Sequence, residues 1–126
     1  MQGARNAALA VAKQLNRCGL RLIGDRCLMA SVAGALGGEA MAAVALTACS
    51  TIDFGVPVAG GGMVAVMVRT YPHWDRAMIR LMIDRVGADD RIAGVVVIVR
   101  SNLMLPHEVN GKPVFAVLAG KAWRRG

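Results

Sequence analysis

Residues 91–100 read RIAGVVVIVR, an apolar run of eight residues between two arginines. Six of these eight residues are Val or Ile, whose branched side chains favour extended backbone. A strand that is apolar at every position needs cover on both faces, as is typical of parallel strands inside a sheet. The sequence therefore predicts a buried central strand at Ile92–Val99, around which the rest of the fold is built.

The segments before this strand predict a second strand and a helix. Residues 63–68 are another Val-rich apolar run, which ends at Arg69. Residues 72–87 carry apolar side chains at helical spacing, with Pro72 in the first turn and Gly87 at the end. The expected buried face of this helix comprises Met78, Ile79, Met82, Ile83 and Val86. A strand, a helix and a strand joined by short loops form a βαβ unit whose strands are parallel.

The segments on either side of the βαβ unit predict a hairpin and two helices. Asn110-Gly111 is a strong turn signal, which reverses the chain into a strand over residues 113–118. Toward the N-terminus, residues 4–23 and residues 26–50 have helical character, the second with a break at Gly37-Gly38. The expected buried stripe of the first helix comprises Ala4, Ala8, Val11, Leu15, Cys18 and Leu22.

Together these elements predict a single α+β domain over residues 1–126. N-terminal helices within residues 1–52 pack on a small sheet within residues 62–120, which contains one βαβ unit and a C-terminal β-hairpin. The glycines at 60–62 predict a hinge loop between the two parts. Because a sheet of three strands leaves apolar edges and faces uncovered, we expect a homo-oligomer that completes the cover.

The chain carries a formal net charge of +7, which indicates a polyanionic partner, either nucleic acid or an anionic membrane surface. Lys13, Arg17 and Arg21 recur every four residues, and we expect them to form a basic stripe on one face of the first helix. They are the candidate polyanion contact. Aromatic residues make up only 4% of the chain, which leaves few platforms for stacking on bases.

The middle of the chain has features of a membrane-associated protein. Between Arg26 and Arg69 only Glu39 and Asp53 are charged. Small residues recur every four positions in a candidate helix-packing ridge, which comprises Ala30, Gly34, Gly38 and Ala42. Residues 46–49 (LTAC) resemble the lipidation motif of bacterial lipoproteins, with Cys49 as the acylated residue. Membrane insertion of residues 27–52 and a lipid anchor at Cys49 are therefore alternatives to a cytoplasmic location.

No residue pattern in the chain is specific for catalysis. The three cysteines lack a CxxC spacing and a nearby histidine pair, so we expect free thiols, no metal site and no cofactor. Three pairs are candidate acid–base groups: His73 with Asp75, His107 with Glu108, and Asp89 with Asp90. Helix capping or a position in a solvated loop explains each pair more simply. The residues do not specify a small-molecule ligand.

Two segments together resemble part of the crotonase (enoyl-CoA hydratase/isomerase) superfamily and cover about a third of the chain. Residues 75–100, a predicted helix followed by Asp89-Asp90-Arg91 and then by Gly-Val-Val-Val at 94–97, are similar to its first helix–strand unit, and residues 112–122 (KPVFAVLAGKA) are similar to a later strand. The resemblance implies an acyl-thioester enzyme with backbone N–H donors near Gly120. The chain departs from the family in its short connection at 101–111 and in Trp123-Arg124-Arg125, which replace a glycine-rich turn.

The function that we expect from the sequence is that of a small, non-enzymatic interaction or assembly protein. Its Ala-, Gly-, Met- and Val-rich surfaces exceed what a small sheet can bury, and no convergent catalytic set accompanies them. We therefore expect self-association through these apolar surfaces. Membrane association or a lipid anchor at Cys49 is one alternative, and a degenerate crotonase-like acyl-thioester enzyme is the other.

Overall fold

The apolar run at residues 92–99 forms a strand between two parallel neighbours in a computed structural model of the protein. The structure describes residues 2–22, 25–37, 41–42 and 51–121. The helices of this part of the chain are α1 (Gln2–Arg17), α2 (Asp25–Leu36) and α3 (Arg76–Gly87). Its strands are β1 (Arg21–Leu22), β2 (Met41–Ala42), β3 (Phe54–Pro57), β4 (Met63–Arg69), β5 (Ile92–Val99), β6 (Glu108–Val109), β7 (Lys112–Leu118) and β8 (Gly120–Lys121).

The main sheet is mixed, with a parallel centre and antiparallel edges. Across the described residues its strand order is β2-β3-β4-β5-β7-β6. Strands β4, β5 and β7 are parallel, whereas β2, β3 and β6 pair antiparallel to their neighbours. Strand β8 continues beyond β7 and pairs with β1 in a separate two-stranded ladder. The fold is α+β, and the predicted βαβ unit (β4-α3-β5) and C-terminal hairpin (β6-β7) are confirmed.

Both faces of β5 are covered by helices of the same chain. Val96 and Ile98 belong to an apolar cluster with α1 and α2, whereas Val95, Val97 and Val99 belong to a second cluster with α3. All five side chains are at most 1% exposed. A fully buried Val or Ile side chain contributes about 1.5–3 kcal/mol to folding, so this strand organises the core. The predicted cover on both faces is confirmed, and the chain supplies it without a second copy.

Helix α1 approaches the sheet closely because β5 has a glycine beneath it. A Cβ atom at Gly94 would lie 3.0 Å from Ala8 Cβ and 3.3 Å from Pro113 Cγ. Ala8 is completely buried, as is Leu15 about two turns further along the same face of the helix. The small pair Gly94 and Ala8 therefore sets the distance between α1 and the sheet.

Glycines end both N-terminal helices, the first of them earlier than predicted. Helix α1 ends at Arg17 instead of residue 23, because Gly19 adopts a left-handed φ of 62° that terminates the helix. Helix α2 ends at Leu36, and Gly37 follows it with a φ of 66°. The end of α2 agrees with the predicted break at Gly37-Gly38, whereas the helical character predicted beyond the break is wrong at Met41–Ala42, which form β2. Cys18 is exposed instead of buried.

The predicted start of the helix at residues 72–87 is wrong for a different reason. Helix α3 begins at Arg76, not at Pro72, because the Asp75 side chain caps it by accepting from the Met78 backbone N–H at 2.9 Å. Ile79, Ile83 and Val86 are buried as expected. Met78, however, is 38% exposed, because it lies at the border of the buried face.

Strand β3 was not among the elements predicted from the sequence. Residues 54–57 pair antiparallel with β4, so the glycines at 60–62 form a hairpin turn within the sheet and not a hinge between two halves. The Val58 backbone N–H donates to the Gly62 carbonyl across this turn at 3.0 Å. All three glycines have a positive φ, which the turn requires and which side chains oppose.

Two helical glycines offer a matched test of packing between α3 and the hairpin. A Cβ atom at Gly87 would lie 2.7 Å from Val109 Cγ1, a stiff side chain that cannot turn away. We expect Gly87→Ala to lower the free energy of unfolding by about 1–3 kcal/mol through overpacking. Gly34→Ala, on the open surface of α2, should raise it by about 0.5–1 kcal/mol. Urea titration followed by circular dichroism measures the free energy of unfolding of both variants. Equal changes in the two would contradict the close packing of Gly87 against Val109.

Candidate functional site

The predicted basic stripe is divided between two elements. Lys13 and Arg17 are exposed one turn apart on α1, which leaves both charges available to a partner. Arg21 lies in β1, so the prediction of three aligned charges on one helix is wrong. The cause is Gly19, which ends α1 before the third position. The helix therefore presents two of the three candidate residues together.

The predicted helix-packing ridge is likewise divided. Ala30 and Gly34 are exposed on α2, whereas Ala42 lies in β2, so a continuous helical ridge from 30 to 42 does not form. Gly38 and Cys49 are outside the described residues. None of the helices in the described part of the chain has the length and apolar character that a membrane crossing needs.

The histidine–acid pairs occupy surface loops. Asp75 caps α3, and His73 stacks at ring-centre distances of 5.8 Å from Tyr71 and 4.5 Å from Trp74. His107 and Glu108 are both exposed at the start of the C-terminal hairpin. Among the residues that the structure describes, no three potential metal ligands come together. These pairs act as caps and surface groups in the described fold.

Asp89 holds the loop between α3 and β5. Its carboxylate accepts from the Arg91 backbone N–H at 2.9 Å and from the Arg91 side chain at 3.2 Å. The Lys112 ammonium donates to the carbonyls of Gly87 and Asp89, at 2.8 and 2.9 Å, which joins the same loop to β7. The hydrogen bonds from Arg91, supported by the charge of Lys112, lower the pKa of the Asp89 carboxyl below its ordinary value of 3.8.

A lowered pKa gives Asp89 a predictable effect on acid stability. The charged carboxylate stabilises the folded state at pH values above 3.8, and this contribution is lost as the pH falls below it through the folded-state pKa. Asp89→Asn should therefore be slightly less stable than the wild type at pH 7, with a difference that shrinks below pH 3.8. Urea unfolding across this range measures it. Asp90→Asn is the matched control, and an identical pH dependence in both variants would contradict the assignment.

An ion pair that was not predicted from the sequence lies at the carboxyl end of β4. Arg69 Nη1 lies 2.7 Å from Asp53 Oδ2, and the Arg69 side chain is only 8% exposed. The same guanidinium donates to the Thr51 carbonyl and to Met82 Sδ, and it lies 5.2 Å from the centre of the Trp74 ring. This single side chain therefore links the segment before β3, strand β4 and helix α3.

The ion pair is a structural anchor and not an open binding site. Asp53 Oδ2 also accepts from the Val68 backbone N–H at 2.7 Å, so the chain itself occupies the polar atoms of the pair. The sequence singles out Asp53 as one of two acidic residues in the apolar middle of the chain. It does not predict the pairing with Arg69, because the two residues are sixteen positions apart. Only the hairpin between β3 and β4 brings the two together.

Removal of the Asp53 charge should destabilise the protein strongly. Asp53→Asn leaves the buried Arg69 cation without its counter-ion, and we expect the free energy of unfolding to fall by about 2–4 kcal/mol. Asp75→Asn is the matched control, because asparagine is an equally good N-cap and the change should cost less than about 0.5 kcal/mol. Urea titrations at pH 7 compare the two. Similar losses would show that the ion pair contributes little.

The backbone near Gly120 tests the crotonase resemblance. The Gly120 N–H donates to the Leu20 carbonyl at 2.9 Å, and the Ala119 N–H donates to the Val99 carbonyl at 2.9 Å. Both N–H groups therefore already donate to neighbouring strand segments, on opposite sides of the chain. An oxyanion hole needs preorganised donors that converge on a substrate oxygen, and this pair of residues does not provide it.

Exposed apolar side chains mark the outer face of α3. Leu81 is 66% exposed, and Met78 beside it is 38% exposed. Arg80 and Asp84 flank Leu81 with opposite charges one turn apart, and neither forms an ion pair with another described residue. We call these four residues the α3 face.

A second feature lies along the outer edge of β7. Five residues of segment 102–107 and three residues of β7, Val114, Phe115 and Ala116, line an open cavity of about 570 Å³. Met104 in its wall is 73% exposed, and Leu118 further along β7 is 55% exposed. We call this cavity the β7 slot.

Comparison of the chain with protein-family models, with curated proteins and with solved structures found no match. The two exposed surfaces are therefore the features of the molecule that bear on its function. The α3 face combines exposed apolar area with unpaired charges of both signs. The β7 slot combines an apolar wall with an open strand edge.

Proposed function

We propose that the protein is a non-enzymatic assembly module that pairs with a second copy of itself through the α3 face. The observation that carries this proposal is the position of Leu81, a large exposed apolar side chain between Arg80 and Asp84. An exposed leucine alone is ordinary, but one between unpaired opposite charges has the composition of an interface with a polar rim.

The charges of the α3 face are complementary to the same face of another copy. In a two-fold symmetric pair the same patch contacts itself, and an axis perpendicular to α3 makes the two helices antiparallel. With the axis midway between Arg80 and Asp84, each arginine lies opposite Asp84 of the partner subunit. The two leucines then meet near the axis. Two ion pairs and one apolar contact result from residues that have no partner within the described chain.

The size of the face limits the expected affinity. One helix of twelve residues offers less area than the roughly 800 Å² per partner of a stable interface. We therefore expect a reversible dimer that forms at micromolar concentrations and weakens with salt, because the exposed ion pairs are screened. Such a dimer suits a module that assembles and dissociates in response to concentration.

From the sequence, we expected a second copy to cover apolar edges and faces of the sheet. The sheet faces are buried by α1, α2 and α3, and the apolar surface that we assign to a second copy lies on the outside of α3. The enzyme alternative loses its main support, because the N–H groups of Ala119 and Gly120 are engaged in strand pairing.

Charge-swap variants test the proposed dimer. Sedimentation velocity over a micromolar concentration series should show a monomer–dimer equilibrium for the wild type and a monomer for Leu81→Asp. Arg80→Asp and Asp84→Arg should each weaken the dimer about tenfold, because like charges then face each other across the axis. The double variant restores opposite charges across the interface and should regain most of the affinity.

Controls separate dimerisation from folding. Met104→Asp alters an exposed apolar residue on a different surface and should leave the dimer unchanged. Far-ultraviolet circular dichroism verifies that each variant is folded. A wild type that stays monomeric throughout the series, or a double variant no tighter than the single variants, would refute the proposal.

A further inference from the structure

The ladder between β6 and β7 stops before the end of β7. Register pairs join Glu108 to Pro113 and Val109 to Lys112, and the Val114 N–H donates to the His107 carbonyl at 3.0 Å. Continued antiparallel pairing would next place residue 105 opposite residue 116. Two features turn the chain away there.

Met104 and Asn102 cause this divergence. Met104 has a left-handed φ of 53°, which turns the backbone away from the extended conformation of a strand. The Asn102 side chain stabilises the bent backbone by accepting from the Met104 N–H at 3.0 Å. Segment 102–107 therefore leaves the strand edge, and the β7 slot opens between this segment and Ala116.

The open edge of β7 presents backbone donors and acceptors to solvent. The N–H groups of Val114 and Gly120 point away from β5, whereas that of Ala119 points toward it. Alternation along the strand therefore directs the N–H and C=O groups of Ala116 and Leu118 outward as well. Both residues are exposed, and neither pairs with a described residue on this side.

The surroundings of the open edge define the chemistry of its occupant. On the α1 side, the exposed Arg5 guanidinium lies 5.8 Å from the centre of the Phe115 ring. On the α3 side, the apolar side chains of Met104 and Leu105 line the slot, and Arg76 Nε donates to the Met104 carbonyl at 3.3 Å. One side of an added strand would thus meet a cation, and the other side would meet apolar groups.

We infer that the β7 slot binds an extended peptide segment in which acidic and apolar residues alternate. The segment adds to the sheet as a strand beside β7 and pairs with the outward backbone groups of Ala116 and Leu118. Because successive side chains of a strand point to opposite faces, its acidic side chains face Arg5 while its apolar side chains face Met104 and Leu105. This binding uses the outer edge of β7 and none of the four residues of the α3 face, so it does not depend on dimerisation.

A fluorescein-labelled peptide of sequence Glu-Val-Glu-Val-Glu-Val provides the probe. Fluorescence anisotropy at low salt should show saturable binding to the full chain. The permuted peptide Glu-Glu-Glu-Val-Val-Val has the same charge and composition, and we expect it to bind at least about tenfold more weakly, because its side chains do not alternate. A probe with N-methyl groups at alternate residues removes the backbone donors and should likewise lose about tenfold.

Two protein variants locate the binding site. Ala116→Pro removes the outward N–H without affecting the pairing of β7 with β5, because proline is tolerated at a strand edge, and it should weaken the probe about tenfold. Arg5→Glu, on the surface of α1, should weaken the probe by about tenfold through charge reversal. Leu81→Asp should leave the affinity unchanged. Circular dichroism and urea titration verify that each variant is folded.

The outcomes are decisive. Equal affinity for the alternating, permuted and N-methylated peptides would refute strand addition, as would unchanged binding by folded Ala116→Pro. Absence of saturable peptide binding would also overturn the inference. Displacement of the peptide by a single-stranded oligothymidine that binds more tightly would overturn it as well, and would assign the basic charge to another partner. A monomeric wild type that binds the probe as expected would refute only the proposed dimer.

Discussion

The burial of β5 on both faces is the constraint on which the other features of this protein depend. Helices α1 and α2 cover one face and α3 covers the other, so each helix has one apolar side committed to the sheet. The close contact of Gly94 with Ala8 fixes the spacing on the first side. Because the chain completes its own core, any partner must bind at what remains: the outer surfaces of the helices and the edges of the sheet.

The Asp53–Arg69 pair ties this core together at the carboxyl end of β4. A buried arginine is costly unless every donor has a partner, and here a carboxylate, a carbonyl, a thioether and an aromatic ring surround it. The pair holds the start of β3 against β4 and against the turn that leads into α3. Through Met82 and Trp74, the same arginine also joins α3 and the turn at residues 71–74 to this core.

The two proposed binding surfaces have different origins: one is the outer side of a helix that packs on the sheet, and the other is an incompletely paired edge of the sheet. The α3 face is the outside of a helix whose inner side is fixed by β5, and its charges have no partner among the described residues. The β7 slot exists because a short hairpin strand pairs with only the first residues of β7. The first surface favours a rigid, self-complementary partner, whereas the second favours an extended chain that supplies the missing strand.

The sequence by itself determined the strands β4, β5 and β7, the βαβ unit and the α+β class, because unbroken Val-rich runs and an Asn-Gly turn act locally. It also placed Ile79, Ile83 and Val86 in the core through helical spacing. The tertiary structure alone decided the pairing of β3, the Asp53–Arg69 bond and the separation of Arg21 from Lys13 and Arg17. These features depend on backbone turns at glycines and on contacts between distant residues, and local periodicity carries no information about either.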